Sequence, residues 1–173
     1  FMNAVQSPLF ILSHLLIISI WIIFNYRAPR HLRSHIALLL LSGLLVAIHP
    51  YDAFIILSVT GTLAVWERVV DMTNEGLRRF IYVLLGASIA ATYHVIALLS
   101  EPALKGWLVQ NLTFSPALSS YLWALGITGP TALLGVYFFI SKKERSPWWR
   151  LIIVWVVCIG LAVYMPTGLN RRF

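Results

Sequence analysis

The stretch Leu38-Leu39-Leu40-Leu41-Ser42-Gly43-Leu44-Leu45-Val46-Ala47-Ile48-His49-Pro50-Tyr51-Asp52-Ala53-Phe54-Ile55-Ile56-Leu57 joins two strongly apolar runs through a four-residue break. His49 to Asp52 brings two ionisable groups and a helix breaker into one turn, because Pro50 cannot continue a helix and restricts the residue before it. Long apolar runs closed by so short a polar turn predict antiparallel helices in a hydrocarbon solvent.

The rest of the chain repeats this pattern. Of its 173 residues 60% are hydrophobic and 11% are charged, with mean hydropathy +0.83, far from the balance of a soluble domain. A membrane span needs roughly 20 apolar residues. Segments near that length are expected at 8–26, 34–49, 53–70, 77–100, 116–141 and 147–165, which makes 1–173 a single all-α transmembrane domain of about six helices. The chain begins at Phe1 and stops at Phe173 directly after a helix, which reads as part of a longer chain.

Local signals support those boundaries. Ser7-Pro8 opens the first helix with a capping residue and a proline at the first helical position, and Ser115-Pro116 and Ser146-Pro147 repeat the device. Asp52 is the expected N-cap of the third helix. Trp66 and the Glu67-Arg68 pair sit at its far end, where long side chains would reach headgroups. Gly86 and Ala90 fall four apart on the fourth helix, where another backbone could approach closely, and His94 continues that face. Trp107-Leu108-Val109 reads as interfacial, and Thr128-Gly129-Pro130 is expected to kink the fifth helix.

The formal charge of +7 does not indicate nucleic acid, since the basic residues sit in breaks between apolar runs rather than in a basic stretch interleaved with aromatics. Arg27, Arg30, Arg33, Arg68, Arg78, Arg79, Lys142, Lys143, Arg145 and Arg150 fall on one side, leaving only Lys105, Arg171 and Arg172 of the 13 Lys and Arg on the other. Positive loops stay cytoplasmic, so both termini and the His49–Asp52 turn are expected on the non-cytoplasmic face. The single cysteine, Cys158, lies in an apolar helix and supports neither a disulfide framework nor a thiolate metal site.

That orientation gathers His14, His49, Asp52, His94, Glu101, Arg171 and Arg172 in the outer half. Intramembrane ionisable groups face a protein interior or a cavity, so these are the candidate cavity-lining residues. Each also has a plain structural role: His14 as interhelical glue, Asp52 as a cap, Glu101 as a helix end. Arg171 and Arg172 run against the charge trend, and the guanidinium group forms bidentate contacts with phosphate oxygens. They are candidates for a lipid-linked phosphate or for headgroup anchoring. Asn111-Leu112-Thr113 fits a glycosylation acceptor pattern.

The leucine-rich helix ending in His49-Pro50-Tyr51-Asp52, together with Asn170-Arg171-Arg172-Phe173 after Tyr164-Met165-Pro166, resembles the later transmembrane region of bacterial polytopic glycosyltransferases of the GT-C class. The resemblance implies an enzyme of the bacterial cytoplasmic membrane that takes a sugar from a polyprenyl-phosphate lipid at the non-cytoplasmic face, sometimes with a divalent metal. It carries over Arg171 and Arg172 as lipid-phosphate contacts and His49 and Asp52 as cavity-lining groups. The catalytic acid of that class lies on a first outer loop, and no such loop is present in this chain. The alternative is a non-enzymatic accessory subunit that packs against other membrane subunits. Axial ligation of haem or a chlorophyll-type pigment by His14, His49 or His94 is a third reading.

Overall fold

The computed structural model describes residues 8–26, 32–101, 119–120, 128–141 and 147–164. Its described elements are α1 (Pro8–Asn25), α2 (Leu32–Ile48), α3 (Asp52–Val69), α4 (Glu75–Ser100), α5 (Thr128–Ser141) and α6 (Pro147–Tyr164), with no strand among the described residues. The protein is therefore all-helical over what is described. α1 and α4 are long and apolar enough to cross a membrane, and α2 and α6 contain shorter apolar stretches.

The expected helices at 8–26, 34–49, 53–70, 77–100 and 147–165 meet these bounds within two residues. Of the expected fifth helix at 116–141, residues 119–120 and 128–141 are described, and they are helical. Thr128-Gly129-Pro130 lies at the edge of that description, beside residues outside it, so the expected kink lies outside what is described. Ser7, Ser115 and Ser146, the Trp107–Val109 stretch and the Asn111-Leu112-Thr113 triplet also fall outside the described residues.

α2 and α4 pack directly against each other and run in the same direction. His35 lies against Tyr82 with ring centroids 4.7 Å apart, and farther along His94 Nε2 is 3.0 Å from the Val46 carbonyl. Between these contacts the backbones come close enough that Gly86 admits no side chain. A Cβ there would collide with the Leu39 carbonyl oxygen and the Ser42 hydroxyl. The small-residue face expected around Gly86 is thus the α2–α4 contact, and Gly43 faces it from the other helix, where a Cβ would sit 3.2 Å from the Gly86 carbonyl oxygen.

α3 packs on a second side of α4, with Phe80 over Gly61, while α1 packs on α2 and α6 on α3. The shared core contains Ile20 and Phe24 of α1, Leu38 and Leu45 of α2, Ile56 and Val59 of α3, Val83 of α4, and Leu151 and Val154 of α6. Small hydroxyls inside it satisfy themselves on their own helices. Ser13 donates to the Phe10 carbonyl at 3.0 Å, Ser42 to Leu39 at 3.1 Å and Thr60 to Ile56 at 2.5 Å, so none leaves a buried polar atom unpaired.

Candidate functional site

These packings bring polar side chains together at two ends. One end contains the start of α1, the α2–α3 turn and the last turns of α4, where the expected cavity residues lie. The other contains the end of α1, the start of α2, the α3–α4 turn and the start of α6.

At the histidine end the α2–α3 turn is wound from its first residue. Asp52 N–H donates to the His49 carbonyl at 3.0 Å, Ala53 N–H to Pro50 at 3.3 Å and Phe54 N–H to Tyr51 at 3.2 Å. Tyr51 already has helical dihedrals and occupies the N-cap position, with no side-chain capping bond. The expectation that Asp52 caps α3 is therefore corrected. Asp52 is the first residue inside the helix, and its carboxylate turns back to His49, with Oδ2 3.1 Å from Nδ1. The two atoms are within ion-pair range but out of line for a hydrogen bond, which leaves the buried Nδ1 without an aligned partner. An acidic group in a helix's first turn still interacts favourably with the macrodipole.

Phe10 joins the other aromatic groups of this end. The His49 ring meets it edge-on at 5.0 Å, and His14 stacks over it at 6.1 Å. His14 is exposed and back-bonds its own helix, with Nδ1 2.7 Å from the Phe10 carbonyl. His94 makes the interhelical contact to Val46 described above. Glu101 is exposed at the end of α4, where its N–H closes the helix on the Ala97 carbonyl at 3.0 Å. Structure thus places His14 and His49 against the Phe10 ring, with Asp52 beside His49, and leaves His94 and Glu101 on α4. Arg171 and Arg172 lie outside the described residues.

The arginine end was not anticipated as a site, and its geometry is denser. Glu67 does not extend to headgroups beside Arg68, as its sequence neighbour suggested; its Oε2 accepts from Arg79 Nη2 at 2.6 Å. The same guanidinium donates through Nη1 to the Phe24 carbonyl and through Nε to the Glu75 carbonyl at 3.2 Å, and it lies over the Phe24 ring at 5.0 Å. One side chain thereby joins α1, α3 and α4. Both charged groups are largely covered, Arg79 at 12% and Glu67 at 19% exposure, so each depends on the other for compensation.

A second pair, Arg150 of α6 with Asp71 of the α3–α4 turn, lies beside it. The Arg150 guanidinium is 5.8 Å from the Trp66 ring and 5.9 Å from the Trp149 ring, and those two rings meet edge to face at 5.6 Å. The turn that presents Asp71 closes on α3 through Asp71 and Thr73 N–H groups, both 3.2 Å from the Glu67 carbonyl. It passes through Met72 in the left-handed region, at φ 54°. The sequence signal for this constellation was present as four acidic or basic residues, 67, 71, 79 and 150, at helix ends, but nothing in their spacing states which pairs with which.

Among the described residues no group of three or more His, Cys, Asp or Glu side chains could hold a metal ion, so the divalent metal implied by the GT-C resemblance has no ligand set within them. For a pigment, His94 Nε2 is engaged by Val46 and Phe10 lies against both His14 and His49. Among the described residues the histidine end offers the His49–Asp52 pair and the His94–Val46 contact, whereas the arginine end ties α1, α3, α4 and α6 together. No family model, curated protein or solved structure matches this chain.

Proposed function

We propose that this chain is a multi-pass transmembrane domain of the bacterial cytoplasmic membrane, with both ends non-cytoplasmic, acting as a structural or accessory unit that packs against other membrane subunits. The observation that carries this reading is the exposure of its two helices that are long and apolar enough to cross a membrane. Only 17% of the apolar window of α4 and 33% of that of α1 is buried. A core helix of a soluble protein with such composition would be covered, whereas lipid or a partner helix can cover these. The segregation of Arg33, Arg68, Arg78, Arg79 and Arg150 at one end supports an orientation with that end cytoplasmic.

Single cysteines report this topology in the full-length protein carrying Cys158→Ser. In intact cells an impermeant maleimide should label Tyr51→Cys, and should reach Met72→Cys only after permeabilisation. The reverse pattern would overturn the orientation, and recovery of the protein in the soluble fraction would overturn the membrane reading. Copurification with membrane subunits that survives His49→Ala and Asp52→Asn tests the accessory role.

A second reading is the GT-C-like glycosyltransferase acting on a polyprenyl-phosphate-linked sugar. Its support is the placing of His14 and His49 against Phe10, with Asp52 beside His49, on the end that the charge count puts outside, where Arg171 and Arg172 would supply the phosphate contacts. Binding of a polyprenyl-phosphate lipid by the full-length protein, weakened by Arg171→Ala with Arg172→Ala, is its expected outcome. Unchanged binding, or none, would remove it.

A further inference from the structure

We infer that the arginine end carries a binding surface for anionic phospholipid, centred on Arg33; the inference rests on the membrane reading above and names a partner for it. Of the described arginines at this end, Arg79 is neutralised by Glu67 and Arg150 by Asp71. Arg33, Arg68 and Arg78 are exposed, and no described carboxylate lies within ion-pair range of them. Buried charge at this end is thus matched pair by pair, while among the described residues the exposed arginines have no carboxylate partner.

Arg33 and Arg78 each head an exposed apolar stripe on their own helix. Along α2, Arg33 is followed at helical spacing by Ile36, Leu40 and Leu44; along α4, Arg78 is followed by Ile81, Leu85 and Ile89. On α3, Val65 lies one turn from Arg68. Beside Arg33 lies an open surface depression whose described lining is Leu32, Arg33, Ser34 and Ile36. A guanidinium, a hydroxyl and two aliphatic side chains therefore share one concavity at the head of an uncovered stripe.

An anionic phospholipid satisfies both parts together. Its phosphate accepts from the Arg33 guanidinium and the Ser34 hydroxyl, and its acyl chain covers Ile36, Leu40 and Leu44. Free phosphate uses only the polar part. A choline headgroup carries its own cation, which opposes the attraction to an unpaired arginine, so phosphatidylglycerol is favoured over phosphatidylcholine. An unpaired basic residue near an anionic surface strengthens binding by about fivefold, and the effect is screened by salt.

The experiment reconstitutes the full-length protein in discs of phosphatidylcholine alone or with a minority of phosphatidylglycerol and counts retained lipids by native mass spectrometry. Phosphatidylglycerol should be retained selectively, Arg33→Gln should weaken retention about fivefold, and Arg33→Lys should keep most of it. Adding Arg78→Gln to Arg33→Gln should weaken it further, with helicity by circular dichroism unchanged. Equal retention of the two lipids, no effect of Arg33→Gln, or displacement of phosphatidylglycerol by inorganic phosphate would overturn the inference while leaving the membrane reading intact. Failure to recover the protein from either disc would instead remove the membrane reading, and this inference with it.

Discussion

At the arginine end, polar side chains reach across the chain: Arg79 contacts Phe24 and Glu67, positions 55 and 12 residues away, and Arg150 contacts Asp71 at a separation of 79. At the histidine end the turn's own pair spans three residues, His49 to Asp52, and His14 bonds four residues back to Phe10. His94, with the Val46 carbonyl, makes a long-range polar contact there among the described residues. The difference teaches that ionisable residues in this chain divide into fasteners and local fillers. A charge that is covered and tied to three helices cannot be removed cheaply, whereas a pair made within one turn survives or fails with that turn alone.

The largest expected effect comes from breaking the fastener. Arg79→Met should cost about 3–5 kcal/mol, because it leaves the Glu67 carboxylate covered and unpaired. Thermal unfolding in detergent measures it, and Arg79→Met combined with Glu67→Leu should recover most of the loss. If the single substitution costs less than about 1 kcal/mol, the two ends do not differ as described.

Gly86→Ala comes next, at about 1–3 kcal/mol. Its Cβ meets the backbone of α2, which cannot rotate away as a side-chain tip would, so α2 and α4 must separate. Hydrogen exchange should rise along both helices and at both ends, since this crossing lies between them. Exchange confined to one end would show that the ends are stabilised independently.

His94→Ala should cost about 1 kcal/mol, the ordinary value of one hydrogen bond, read as a drop in midpoint denaturant without a change of slope. The smallest effect belongs to the local pair. His49→Ala and Asp52→Asn should each stay within about 1 kcal/mol, because this pair, though as covered as Arg79–Glu67, makes no aligned hydrogen bond to lose, with a coupling in a double-mutant cycle of at most about that size. Coupling well above it would make the histidine end a fastener too and bring the two regions level.

Much of the helical layout was legible from the residues. Apolar runs interrupted by Pro50, by Asp71 to Asn74 and by the basic segment before Leu32 leave little choice about where helices start and stop, because in such composition only charge and proline break the pattern. The face bearing Gly86 and His94 was legible for the same reason, since helical periodicity alone puts them on one side. The role of Asp52 was not. A capping residue was expected from its type and place, but Pro50 fixes the backbone so that Tyr51 is already helical, and the free carboxylate turns back to His49 instead of forward to the amides.

The sequence by itself determined an all-helical protein, the approximate bounds of its described helices and the gathering of basic residues in alternate breaks, because these follow from local composition and short-range sterics. Tertiary structure alone decided the partners. Glu67 has Arg68 beside it in the chain, yet it pairs with Arg79, because the α3–α4 turn brings the start of α4 alongside the end of α3 and a covered carboxylate is stabilised by whichever cation shares its low-dielectric surroundings. The same packing selected which arginines were neutralised and which, Arg33 first among them, were left with an open charge above an open apolar stripe.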